Sequence, residues 1–250
     1  YLASLDWIAN LLYGDTAMAA ILSARLNDTG ITTCSDETTN GLPCPVAGFP
    51  GQDGEQGRDE YAQDEQLEKT GGGKSGFDFT KLDANGNELA SNASVWACVR
   101  DNVTGLVWEV KTDDDTMRDS DNTFTWYNSS AVNDGGLAGT ESGGVCPEAD
   151  KCDTEKYVVF VNAQGLCGAS DWRLPDKEEL RSIIDYGTGV PAIDTSYFPH
   201  TKSAIYWSAS PVASNPGLAW NAYFNYGDVY YGYKTGASFV RLVRGDKDDE

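Results

Sequence analysis

The residues best suited to bind a ligand lie together near the C-terminus, in the stretch AWNAYFNYGDVYYGYK. Tyrosine offers rigid amphipathic contact area, asparagine offers hydrogen bonds, and glycine spaces them. Neighbouring side chains of an extended strand point to opposite faces, so Ala222, Phe224 and Val229 should face the core. The predicted ligand-binding residues are Asn221, Tyr223, Asn225, Tyr226, Asp228, Tyr230 and Tyr233. The alternative is a partly exposed sheet that packs on a neighbouring loop.

A second candidate is the acidic loop DDDTMRDSDN, which begins at Asp113. Clustered carboxylates on turns suit calcium, a hard cation that prefers oxygen ligands. The spacing is not that of an EF-hand, and a solvated run of charge is the alternative. Ca2+ is the candidate cofactor, and the candidate ligands are Asp113, Asp115, Asp119 and Asp121, with Asp185 and Asp194 as a further group beside a predicted helix.

Catalytic chemistry finds little support in the residue types. His200 is the one histidine of the chain, and no nucleophile-elbow motif accompanies it. Carboxylates are so numerous that no pair stands out as an acid and its base. We therefore expect a protein that is not an enzyme.

The six cysteines form an even set with no CxxC pair, which favours disulfides in an oxidising compartment over a metal site. Sequence alone permits many pairings. Two pairs would close short loops, Cys34–Cys44 and Cys146–Cys152. The remaining pair, Cys98–Cys167, would then be a long-range link, and we expect a secreted or cell-surface protein.

The net charge of −21 limits the classes of partner. Nucleic acid and anionic membrane would both be repelled by so acidic a surface. Divalent cations, basic partners or a salty medium fit it better. Acidic residues that only keep the surface soluble are the alternative.

The chain divides by composition into four parts. Residues 2–26 are apolar but carry Asp6, Asp15 and Arg25, so the uncharged run is too short for a transmembrane span. An amphipathic helical segment over 1–26 is expected, which either packs on its own domain or forms a homo-oligomer. Residues 27–76 read as an irregular arm pinned by a disulfide, 77–245 as the main domain, and 246–250 as an acidic tail.

In the main domain two predicted helices are followed by a run of antiparallel strands, which predicts an α+β fold. WACVRDNVTGLVWEVKT reads as strand, turn and strand, and a further turn is expected at Asn85-Gly86. One helix should begin at Asp153 or Thr154 and end at Gly165. A second should open at Pro175 with a capping box of Asp176 and Glu179. The remainder is strand and turn, in which Trp207 and Trp220 should be mostly core.

Four segments carry a resemblance to a known family: CVRDNVTGLVWE, LCGASDWRLPDKEELRSIIDYG, YWSAS and FVRLVRG, in that order. The chain resembles the Lcl C-terminal domain family, a bacterial family named after a collagen-like adhesin. The resemblance covers residues 77–245, and weaker features (DTGITTC, FPGQDGEQGRD) reach back to about residue 28. It implies a C-type-lectin-like fold with two helices, a small twisted antiparallel sheet and long ordered loops.

The resemblance also implies a class of function. Relatives look like adhesins, or like receptor-binding proteins whose last strands vary. Those that bind sulfated polysaccharide need a basic surface, which this chain lacks. We expect an extracellular, surface-displayed binding domain that recognises a glycan or protein through its C-terminal strands. The alternative is a structural subunit of a surface assembly, docked through residues 2–26.

Overall fold

The computed structural model describes residues 27–245. The predicted N-terminal helical segment and the acidic tail lie outside the described residues. Within them the fold is mixed α+β, with antiparallel sheets and few helices. No helix in this part of the chain has the length and apolar character needed to cross a bilayer.

A four-stranded sheet joins early and late parts of the chain. Its strands are β1 (Phe79–Leu82), β2 (Cys98–Asp101), β3 (Val107–Glu109) and β9 (Val243–Arg244), in that spatial order. The predicted β2–β3 hairpin is confirmed, and its register places Cys98 opposite Glu109. The Asp101 carboxylate accepts the N–H of Val103 at 2.9 Å, and Gly105 supplies a positive φ of 77°.

A three-stranded antiparallel meander forms the ligand-candidate region. It consists of β5 (Ile205–Pro211), β6 (Leu218–Tyr223) and β7 (Asp228–Tyr233). Strand β7 lies at the edge of this sheet. A short antiparallel pair, β4 (Phe124–Thr125) with β8 (Ala237–Ser238), lies beside it. Two indole hydrogen bonds join the pair to β5: Trp126 donates to the carbonyl of Ser208, and Trp207 donates to the carbonyl of Phe124.

Three α-helices occur among the described residues: α1 (Gly57–Gln63), α2 (Thr154–Gln164) and α3 (Lys177–Arg181). Asp153 caps α2 and left-handed Gly165 ends it, as predicted. The predicted capping box is also present at the start of α3. The sequence predicts that helix α3 stops at Tyr186-Gly187, but it is shorter, since the chain turns at Ser182.

The arm over residues 27–76 is more ordered than its composition predicts. It contains α1 and a 3-10 turn, Asp53–Glu55. The buried Asp59 carboxylate accepts the N–H of Gly30 at 2.7 Å and that of Gly76 at 2.6 Å. Most of the arm has no regular secondary structure, and the buried carboxylate fixes it by gathering main-chain donors from both of its ends.

Two hydrophobic clusters fill the interior. One lies between the four-stranded sheet and α3 and includes Trp108 and Phe224, and the other lies under α2 and includes Trp126 and Trp207. Ala222 is buried as predicted, whereas Val229 is only half-buried. Trp220 is also half-buried, because it lies in the sheet centre on a face that α3 covers only in part.

Three disulfides link the six cysteines, and they are the three predicted pairs. Cys34–Cys44 and Cys146–Cys152 close short loops. Cys98–Cys167 spans a sequence separation of 69 and ties β2 to the turn after α2. This long link clamps the hairpin to the helix that covers it.

Candidate functional site

The exposed tyrosines gather on β7 and on the turn before it. Tyr226 is 67% exposed, Tyr230 53% and Tyr233 71%. Asp228 is exposed as well, while Tyr223 and Asn225 are half-buried. The ligand role of these residues remains a prediction.

The sheet register divides the predicted surface into two faces. Tyr230 pairs with Asn221 and Asp228 with Tyr223, so these four side chains share one face. We call Tyr223, Tyr226, Asp228 and Tyr230 the tyrosine surface. Tyr233 pairs with Leu218 and therefore lies on the opposite face of β7.

Asn221 is the one member of the predicted set that is buried, at 2% exposure. It sits on the central strand β6 with Trp207 opposite it on β5 and Tyr230 opposite it on β7. Its Oδ1 finds no hydrogen-bond partner among the described residues. The expectation that it faces outward was wrong, because alternation gives the face and not whether that face is covered.

The turn that carries Tyr226 is held against the core. Tyr186 donates from its hydroxyl to the carbonyl of Gly227 at 3.0 Å. A side chain at Gly227 would meet the Tyr186 ring at 2.6 Å, and φ there is 84°, so only glycine fits. The rings of Tyr223 and Tyr226 lie edge to face at 6.2 Å. The tyrosine surface is therefore built on a rigid support.

The other face of β7 carries an aromatic group that sequence reasoning missed. Tyr231 is exposed and lies edge to face with Trp220 at 5.7 Å. Lys177, on α3, places its Nζ 4.7 Å from the Trp220 ring. The position of β7 in the sheet could have predicted this, because an edge strand that little else covers exposes the side chains on both of its faces.

The acidic loop brings together three of the four predicted ligands. Carboxylate oxygens of Asp113, Asp119 and Asp121 lie within 4.8 Å of one another. Asp115 is outside this group, and its N–H donates to Asp119 at 2.8 Å. Asp119 also accepts from the N–H of Asp114 at 2.6 Å. The N–H of Asp121 donates to Asp119 too and holds the pKa of that carboxyl below its ordinary value.

One basic side chain, that of Lys202, already neutralises part of this loop. Lys202 pairs with Asp121, and His200 lies 3.8 Å from Asp113. Asp119 acts here as the centre of the loop's hydrogen bonds. The three carboxylates could still hold a hard cation, because the two outer ones are exposed.

Asp185 and Asp194 do not join the acidic loop. Both are buried and close turns: Asp185 accepts the N–H of Gly187 at 3.0 Å, and Asp194 accepts that of Ser196 at 3.0 Å. Burial raises the pKa of Asp185. Their position beside α3 is explained by turn formation.

A buried ionic network was not anticipated. Glu109 on β3 accepts hydrogen bonds from Tyr157 and from the N–H of Leu242, and Lys111 and Arg118 lie 3.5 and 3.3 Å from it. Burial alone would raise the pKa of Glu109, but the two cations hold it below its ordinary value. Burial lowers the pKa of Lys111 to about 8. The network joins β3, α2 and the acidic loop, and its burial fits a structural role.

A cleft of about 510 Å3 opens where α2 and α3 begin. Its walls come from the loop after β4, the first half of α2, the DWRLP segment and the end of β5. Arg173 in this wall is held by Glu179, with nitrogen–oxygen distances of 2.7 and 2.6 Å. No part of this cleft belongs to the predicted ligand set.

Comparison with known proteins gives one match. The family model described as the Lcl C-terminal domain matches residues 97–244. No curated protein and no solved structure matches the chain. The match begins at the strand that contains Cys98 and ends at β9, so it contains the DWRLP segment, the long disulfide and the meander. The chain belongs to the Lcl C-terminal domain family.

Proposed function

We propose that this protein is an extracellular, non-catalytic binding domain, displayed on a cell surface in the manner of an adhesin. It recognises a glycan or a protein through the tyrosine surface. The observation that carries the proposal is the exposure of Tyr226 and Tyr230, beside Tyr223, on an edge strand and turn that the core holds in place.

The chemistry of this surface favours recognition. A tyrosine ring buries a large apolar area with few rotatable bonds, and its hydroxyl still forms hydrogen bonds. Asp228 adds an acceptor beside Tyr230, with 3.5 Å between the tyrosine hydroxyl and the carboxylate. Exposed apolar area of this kind is rare on a surface unless it meets a partner.

The wider setting supports the same proposal. Family membership favours a C-type-lectin-like fold, and three disulfides favour an oxidising, extracellular compartment. The charge of −21 favours a neutral or basic ligand over a sulfated polysaccharide. Calcium held by the acidic loop is part of the proposal.

The test is a glycan array together with a panel of purified cell-surface proteins, each run with and without calcium. The double variant Y226A/Y230A should lose binding of any ligand found and keep its melting temperature, because both side chains are exposed. The matched control is Y231A/Y233A, which removes two exposed tyrosines from the opposite face of the same strand.

Normal binding by Y226A/Y230A would contradict the proposal and place the functional surface elsewhere. Loss of binding in the control variant alone would assign the function to the opposite face of β7.

A further inference from the structure

We infer that the cleft at the start of α2 and α3 is a second binding site, and that it takes a lysine side chain of a partner polypeptide. It shares no residue with the tyrosine surface. Tyr127, Thr154, Glu155, Val159 and Arg173 are among the residues that line the cleft.

The cleft has the size and rigidity of a ligand site. A volume of about 510 Å3 falls within the usual range for small-ligand pockets. Thr154 ties one wall to the next, since its hydroxyl donates to the carbonyl of Tyr127 and accepts that residue's N–H, both at 2.9 Å. The loop that carries Asn133 is held by buried Lys234, which donates to the carbonyls of Asp134 and Leu137.

One side of the cleft offers apolar surface on which the aliphatic part of a lysine side chain could pack. Val158 and Val159 on α2 line the cleft together with Leu174 and Pro211. Val159 is 63% exposed, so its side chain is available to a partner. The four-carbon stem of lysine can cover such surface while its ammonium stays at a polar group.

The charge inside the cleft is negative. Arg173 is neutralised by the two bonds from its guanidinium to Glu179. Glu155 accepts from the N–H of Ser129 at 2.6 Å and from its hydroxyl at 2.9 Å, which are both neutral donors. Of the ion pairs formed within residues 27–245, none includes Glu155. The start of α2 offsets only about half a unit of this charge.

The arrangement favours lysine over arginine. Ser129 places its N–H and its hydroxyl on the two oxygens of Glu155, so it occupies the edge on which a guanidinium would form two parallel bonds and leaves single acceptor positions on each oxygen. A guanidinium gains most from that two-bond geometry, whereas an ammonium is a point charge that needs one contact. A basic partner also matches the net charge of −21.

The probe is the pentapeptide Ala-Leu-Lys-Leu-Ala-amide with fluorescein on its N-terminal amine and the lysine side chain free, measured by fluorescence anisotropy with the full chain. Three comparison peptides carry norleucine, arginine or glutamate in place of the lysine. We expect the lysine peptide to bind about tenfold more tightly than the norleucine peptide, which is the effect of one charge-assisted hydrogen bond.

Two pairs of variants locate the binding. E155Q should remove the lysine preference, while E60Q, which changes an exposed carboxylate on α1, should keep it. V159W should block the cleft, while V145W, at another exposed valine outside it, should bind as the wild type does. Y226A/Y230A should also keep the preference, so that this site and the tyrosine surface can fail separately.

Several outcomes overturn the inference: no binding of the lysine peptide, equal affinity for lysine and norleucine, tighter binding of arginine, or unchanged binding by V159W. Equal losses in E155Q and E60Q would do so too, because they would show attraction to the acidic surface as a whole.

Discussion

Glu109 is the charged side chain whose loss should destabilise this protein most. E109Q would leave the buried charge of Lys111 and the half-buried charge of Arg118 without their anion, and breaking a buried pair in this way costs about 3–5 kcal/mol. E88Q is the control, because Glu88 pairs with Arg100 at the surface and should contribute at most about 1 kcal/mol. Urea unfolding of the two variants measures the difference, and equal effects would contradict the assignment of Glu109 as a structural anion.

Asp59 should make stability depend on pH. Burial, aided by the charges of Asp28 and Asp53, raises its pKa from the ordinary 3.8 to about 6. Between these values the folded form holds a proton that the unfolded form has released, so this residue's contribution to stability falls as the pH rises. From pH 4 to pH 6 this lowers the free energy of unfolding by at most about 3 kcal/mol.

D59N removes this titration. The free energy of unfolding that it loses relative to the wild type should therefore be smaller at pH 7 than at pH 4. Unfolding curves at the two pH values measure this difference. A penalty that is the same at both would show that the pKa of Asp59 is close to its ordinary value.

At the scale of single residues, the alternation of side chains along a strand predicted the burial of some residues and not of others. Ala222 and Phe224 are buried as expected. Asn221 was placed on the right face but is covered by its neighbours, which no count along one strand can reveal. The Glu109 network escaped notice because Tyr157 and Leu242, which also bind Glu109, are distant in sequence and meet it only in the folded chain.

Among the covalent links between elements, Cys98–Cys167 should matter most for stability. Its sequence separation is 69, against 10 for Cys34–Cys44. A disulfide that closes a longer loop restricts the unfolded chain more. C98S/C167S should lose about 2–5 kcal/mol, and C34S/C44S clearly less. Melting curves of both variants test this order, and the reverse order would count against the loop-length argument.

The acidic loop is predicted to bind calcium. If Asp113, Asp119 and Asp121 hold an ion only in the folded state, added Ca2+ should raise the melting temperature and a chelator should lower it. D113N/D121N should abolish the shift while D150N, at an exposed aspartate elsewhere, keeps it. An unchanged melting temperature in excess chelator would leave these residues as solvated charge.

At the scale of elements, local signals were the most dependable. The N-terminal caps of α2 and α3 could be predicted, because each capping side chain and the main-chain N–H that it accepts are only three residues apart in the sequence. Helix α1 was missed because its surroundings are rich in turn residues and its stability comes from contacts, such as the bond from Arg58 Nε to the carbonyl of Gly76. The order of strands in the sheets could not be predicted either, since β3 and β9 are far apart in the sequence and no local signal pairs them.

For the whole molecule, the discriminating experiment concerns residues 2–26. A chain that begins at residue 27 should keep ligand binding, because the tyrosine surface lies far along the sequence from the removed segment. Analytical ultracentrifugation of both forms gives their masses. Self-association of the full chain, lost in the shortened one together with binding, would favour the structural-subunit alternative over the proposed function.

The pairing of β3 with β9 has a consequence for how the protein is made. Leu242, just before β9, reaches Glu109 across 133 residues of sequence. Until that late segment leaves the ribosome, the hairpin of β2 and β3 has an unpaired edge and Glu109 lacks one of its donors. The four-stranded sheet can therefore close only after synthesis has passed β9, and long-range closure of this kind is slow. Until then the unpaired edge of β3 is where aggregation of a partly made chain would begin.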